Sequence, residues 1–111
     1  MKDKIMLIGS FYLKQTHSGN LLGEFYNNHN RIRTYTESAD LERKNTSDLF
    51  VGEYLSTWRE ENEPVEFNLK IERIESNSYK LTWHNKDRNV FFGYGFIVDN
   101  ILIGDYTDFE Y

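Results

Sequence analysis

The chain has no cysteine, a single proline, a single alanine and no long apolar run, and each of these shortages removes a class of structure. Without cysteine there is no disulfide framework, no thiolate metal site and no thiol nucleophile, which fits a reducing compartment and makes the cytoplasm the expected location. Alanine is the best helix former, and with only Ala39 present helical content should be low. No apolar stretch approaches the roughly 18 residues of a membrane span. Positive charge is also in deficit: the formal net charge is −5 and the pI about 5.1. Neither nucleic-acid phosphate nor an anionic membrane is therefore an expected partner. Catalytic spacings are missing too. There is no Gly-x-Ser-x-Gly elbow, no HExxH-like histidine pair and no phosphate loop, so a non-enzymatic role without a cofactor is the first expectation.

Aromatic residues are abundant, with eight Phe, eight Tyr and two Trp making 16% of the sequence. Flat side chains pack well on pleated surfaces, so this excess favours strands. A length of 111 residues suits one domain with one core, expected to span residues 1–111. The plentiful Asn, Lys, Ile, Tyr and Phe point to an A+T-rich genome, bacterial or viral. Met1 to Lys4 followed by the apolar run Ile5 to Leu13 superficially resembles a signal peptide. Gly9, Ser10 and Lys14 interrupt it and no small-residue cleavage site follows, so a first strand is the better reading.

Strict alternation marks the C-terminal half. Val65, Phe67, Leu69 and Ile71 alternate with polar neighbours up to Glu72, and Tyr79, Leu81 and Trp83 do so after a turn at Glu75 to Ser78. Asn85 to Arg88 is the next turn, Val90 to Val98 the next strand, and Asp99-Asn100 a two-residue turn into Ile101 to Thr107. The N-terminal half reads as strands Ile5 to Leu13, Leu21 to Asn27 and Arg31 to Glu37. A long connection, Ser38 to Asp48, leads to a strand from Leu49 to Trp58 and an acidic loop, Arg59 to Pro64. The connection could carry one helical turn or be a mobile loop. About eight short strands at roughly 8–12-residue spacing predict an all-β, antiparallel meander barrel, with a β-sandwich as the alternative.

A motif of two apolar residues, glycine, any residue and an aromatic recurs at Leu7 to Phe11, Leu21 to Phe25, Phe50 to Tyr54 and Leu102 to Tyr106, with Phe91 to Gly95 as a variant. Glycine within a strand costs entropy and packing, and its recurrence between large neighbours points to tight coiling of a small closed barrel. This motif, together with hairpin meandering, resembles the avidin and lipocalin-like up-and-down barrels, which carry Gly-x-Trp or Gly-x-Tyr in comparable strands. The resemblance implies a small apolar or amphipathic ligand held in the barrel mouth; it assigns no binding residue here.

Ser10, Glu24, Glu53 and Asp105 share one slot of the motif, opposite the glycine. Burying three unpaired carboxylates would be very costly, so an exterior position is expected. His17, His29 and His84 fall in or beside turns and carry no metal pattern. Arg31 to Glu37 is the least apolar strand: Arg31, Arg33, Tyr35 and Glu37 lie on one face, and Ile32, Thr34 and Thr36 on the other. Whichever face turns inward brings polar groups to the core, as Ser56 does between Tyr54 and Trp58; the competing reading is a charge-protected edge strand. A pocket with Trp58, Trp83 and Tyr79 facing Tyr35, Thr34 or Arg33 would combine an apolar lining with a few polar groups. The first functional expectation is thus a binding barrel for a small organic ligand. The second is a protein-interaction module, an inhibitor or assembly subunit, using an aromatic, acidic surface and the tail Asp105 to Tyr111. A barrel-mouth isomerase or lyase comes third. A homodimer is expected, because imperfect closure would leave strand edges at Arg31 to Glu37 or at the C-terminus and the tail Tyr106, Phe109 and Tyr111 would add exposed apolar area.

Overall fold

A computed structural model describes residues 6–86 and 90–109, and for residues 30–32 the backbone alone. Eight strands run in order: β1 (Ile8–Gln15), β2 (Leu21–Asn27), β3 (Asn30–Arg43), β4 (Gly52–Glu60), β5 (Glu63–Glu75), β6 (Ser78–His84), β7 (Val90–Val98) and β8 (Ile101–Thr107). Each pairs antiparallel with its chain neighbours, and β1 pairs with β8 from Ile8 opposite Thr107 to Lys14 opposite Ile101, closing the barrel. The expected meander barrel is therefore the observed fold, and the sandwich is set aside. The start of the first expected strand at Ile5, Arg88 of the expected turn, and Tyr111 lie outside the described residues.

Two expectations for the connections need correction. The stretch 38–43, read as the start of a long connection, continues β3: Ala39 is fully buried and Leu41 packs on the core, while Ser38 and Asp40 face outward. Its polar composition hid an alternation in which only two inward residues are apolar. Likewise the acidic loop Arg59 to Pro64 is a tight hairpin. Glu61 and Asn62 both adopt positive φ, as a two-residue turn matched to strand twist requires, and Pro64 pairs with Arg59 inside the ladder. The Asp99-Asn100 turn has the same positive φ pair, as expected. β3 is paired with both β2 and β4, so it is not an edge strand, and the edge-pairing basis for a dimer falls away with it.

The two barrel ends differ. At one end the loop 44–51 folds inward and buries Phe50 as a plug over Leu13, Leu21, Tyr54, Ile71, Leu81 and Leu102. The Lys44 ammonium donates to the carbonyls of Asp48 (2.6 Å) and Val51 (2.8 Å), and Phe50 N–H donates to Gln15 Oε1. Tyr54 donates its hydroxyl to the Phe50 carbonyl at 2.8 Å, and burial pushes its phenol up to about 12. The other end, bounded by the β2–β3, β4–β5 and β6–β7 turns, has no such plug among the described residues.

Glycine permits the close approach of neighbouring strands. A methyl group on Gly23 would collide with the carbonyl oxygen of Tyr12 on β1, and one on Gly104 with that of Tyr94 on β7. The obstacle is backbone, which cannot rotate away, so the strands themselves would have to part. Gly23→Ala should therefore lower stability by about 1–3 kcal/mol, as overpacking does, whereas Thr34→Ala on the exposed outer face should stay within roughly 0.5 kcal/mol. Urea unfolding of both variants checks this; equal midpoints for Gly23→Ala and the parent would refute the steric account.

Candidate functional site

The inward register of β3 carries Tyr35, Glu37 and Ala39, so a carboxyl is delivered to the barrel interior. Small residues surround it. Gly23 of β2 pairs directly with Glu37, Ala39 follows on the same face, and Ser56 of β4 pairs with Ala39 as the diagonal neighbour. The Glu37 side chain is only 2% exposed. Ser56 donates its hydroxyl to Glu37 Oε2, and Trp83, three strands further round the barrel, donates its indole N–H to the same oxygen at 2.9 Å.

Both partners are neutral. Burial in a low-dielectric interior disfavours the charged carboxylate more than two hydrogen bonds favour it, so the Glu37 pKa is raised above its ordinary 4.5. Desolvation is the main cause, with the Ser56 and Trp83 bonds opposing it. Among the described residues no Lys, Arg or His forms an ion pair with Glu37.

Between Glu37 and the end opposite Phe50 lies a cavity of about 70 Å3. Its wall is mainly aromatic, formed by Phe11, Phe25, Trp58, Trp83, Phe91 and Tyr106, with Leu7, Asn27 and Glu60 toward the opening. The rings brace one another. Phe25 meets Trp58 and Tyr106 edge-on, Trp83 meets Phe11 edge-on, and Trp58 stacks on Phe67 at 5.1 Å. Each such pair adds roughly 0.5–1.5 kcal/mol beyond area burial, so the wall is held rigidly. Polar atoms are fixed as well: Trp58 donates its indole N–H to Glu60 Oε2 (2.8 Å) and Asn27 donates its amide to the Tyr106 hydroxyl (3.1 Å). Burial, offset by the Asn27 bond and reinforced by nearby Glu37, pushes the Tyr106 phenol up to about 12, so it stays neutral at physiological pH.

Of the residues expected to bind ligand, Trp58 and Trp83 line this cavity. Tyr35 stands just outside it, stacked on Phe25 at 5.2 Å. The other three are not brought to it. Tyr79 is buried four residues from Trp83, about 13 Å along β6 and toward the plugged end. Thr34 lies on the outer face, and Arg33 is exposed near the start of β3. The residues that sequence reasoning left out are Glu37 itself, Phe11, Phe25, Phe91 and Tyr106 on the wall, and Asn27 and Glu60 at the opening. The available signal was the coincidence of Glu37 with Ser56 on inward faces, both recognised as polar intrusions without being joined.

The carboxylates of the motif slot are outside the barrel. Tyr12 donates to Glu24 (2.5 Å), Ser10 donates to Asp105 (3.1 Å), and Glu53 is exposed. His17, His29 and His84 are exposed, and among the described residues no group of three or more His, Asp or Glu is placed to hold a metal ion. Comparison of the chain with protein-family models, with curated proteins and with solved structures gave no match.

The raised Glu37 pKa has a definite consequence for stability. The folded protein keeps this proton at pH values where the unfolded chain has released it, so the fold is favoured at low pH and loses that advantage as pH rises from 4.5 through the raised value. Glu37→Gln, which cannot ionise, should remove this slope. Its urea midpoint should gain on the parent's steadily as pH climbs above the carboxylate range; a difference that is constant from pH 5 to 9 would contradict the burial account.

Proposed function

We propose that this protein is a non-enzymatic binding barrel that holds a small organic molecule in the aromatic cavity at the end opposite Phe50. The observation that carries the reading is the coexistence there of a rigid apolar wall and a few fixed polar groups, Glu37, Asn27 and Tyr106, the usual composition of a ligand site. Eight-stranded barrels are just wide enough either to fill with side chains or to hold one small ligand. The volume supports the second outcome: about 70 Å3 is several times the ~10–15 Å3 that one water needs. Binding is favoured over turnover because, among the described residues, Glu37 is hydrogen-bonded to Ser56 and Trp83 and paired with no His or Arg that would complete an acid–base relay. Since Trp58 and Trp83 both border the cavity, occupation should shift tryptophan emission saturably. Titrating a panel of small alcohols, amines, amides and acids tests this; a panel without any saturable change, at millimolar concentration and with NMR spectra also unmoved, would overturn the reading.

A second reading, self-association or docking to a partner protein, is favoured by an exposed apolar strip. Leu22, Ile103, Phe96 and Val98 face outward on β2, β8 and β7, around Tyr12 and Ile101, and Phe109 is exposed beyond β8. Such strips mark contact surfaces when they are continuous. On this reading sedimentation across a concentration series shows a mass rising to twice 13.3 kDa, and Ile103→Lys returns the monomer. A monomer mass at every concentration excludes the homodimer.

A further inference from the structure

We propose that the occupant of the cavity is a small alkylammonium ion, or the ammonium end of a longer amine, whose nitrogen pairs with the Glu37 carboxylate inside the aromatic ring. This inference rests on the binding reading above and adds the chemical class of the ligand.

The first argument is the choice of a carboxyl. A buried group that served only to hydrogen-bond Ser56 and Trp83 could be neutral, as glutamine is, and would avoid the desolvation of an ionisable acid. Glu37 instead has two neutral donors on one oxygen and, among the described residues, no counter-cation. Once ionised, Glu37 would be a buried charge with no partner among the described residues, and a ligand cation would supply one.

The lining supplies the second argument. Indole, phenol and phenyl rings attract cations through their quadrupoles, more strongly where water is excluded, and rings enclosing an ammonium are a recurring solution. Six such rings, from Phe11, Phe25, Trp58, Trp83, Phe91 and Tyr106, wall this cavity. The sign of the surroundings agrees. Among the described residues, the other ionisable side chains on the lining are Glu60, which is acidic, and Tyr106, which is neutral at physiological pH. Asp108, accepting from Leu7 N–H, adds an acid beside the opening, and the whole chain carries −5. Arg33 and Arg59 are exposed positive charges toward the same end; Glu37, Glu60 and Asp108 outnumber them, which favours a cation over an anion.

Size narrows the class. The volume of about 70 Å3 is under half the ~150 Å3 of a cavity known to take benzene, so the enclosed part suits an ammonium with a short alkyl arm rather than a whole aromatic ring. The proton balance is simple. An amine arriving as the free base takes the proton of Glu37, one N–H bond forming as the O–H bond breaks; an amine arriving as ammonium displaces that proton to solvent. In the second case affinity rises with pH until Glu37 is already ionised in the free protein.

The test uses the intact protein and three probes of matched length: n-butylammonium chloride, n-butanol and sodium butyrate, each followed at pH 8 by NMR chemical-shift titration at constant ionic strength. We expect n-butylammonium to bind at least about tenfold more tightly than n-butanol, butyrate to bind weakest, and Glu37→Gln to erase the preference while leaving n-butanol binding in place. Glu53→Gln, exposed on the outer face, should keep the preference within about twofold. Equal or tighter binding of n-butanol by the parent protein, or an undiminished preference in a folded Glu37→Gln, overturns the inference while the binding reading stands. If none of the three probes binds, the inference falls, and the wider panel decides the binding reading. Should Glu37→Gln not fold, the parent's ranking of the three probes still decides.

Discussion

An eight-stranded barrel has an interior only a few side chains across, and every inward position must be shared out between bulk and space. In this protein the division is uneven. Glycines at Gly23 and Gly104 let backbones close on one another, while large aromatic residues fill the volume that remains. At the plugged end Phe50 and Tyr54 complete the filling together with aliphatic residues. Toward the other end the rings are braced against one another around a space instead of into it, and the cavity follows from that arrangement.

Glu37 is where this packing turns into chemistry. Its ladder neighbours include three small residues, Gly23, Ala39 and Ser56, and its orientation is held by hydroxyl and indole donors from two different strands. A carboxyl in such surroundings holds its proton more tightly than one in water, and a cation beside it would favour the ionised form. The same desolvation that raises its pKa strengthens any ion pair formed there, because the interaction is not screened by water.

Much of the architecture was legible in the sequence because antiparallel strands with one wet face write their pattern in alternation. Val65 to Glu72, Tyr79 to His84 and the Asp99-Asn100 turn are plain examples, and the glycine motif pointed correctly to closure. The second half of β3 escaped because its inward residues, Ala39 and Leu41, are flanked by Ser, Asp and Glu that resemble a loop or a helix cap. The β4–β5 hairpin escaped because Glu61 and Asn62 stand in for the glycine that usually marks such a turn. For the site, the two tryptophans were found from their strand positions alone. Which polar group meets them depends on register between β3, β4 and β6, and a shift of one residue exchanges the inward set Tyr35 and Glu37 for Thr34 and Thr36. Sequence pattern constrains which faces alternate, but not how far one strand slides along the next, so Thr34 and Arg33 were indistinguishable from Glu37 at that level.

The central claim is that Glu37 is a buried carboxyl that takes its charge from a cationic occupant. The most direct measurement is the carboxyl carbon resonance of Glu37, assigned by comparison with Glu37→Gln and followed by 13C NMR as a function of pH, with and without n-butylammonium. The account predicts a titration well above 4.5 in the free protein and a marked fall when the amine is present, since the ion pair favours the ionised form. A Glu37 resonance that titrates in the ordinary carboxylate range and does not respond to the amine would contradict it.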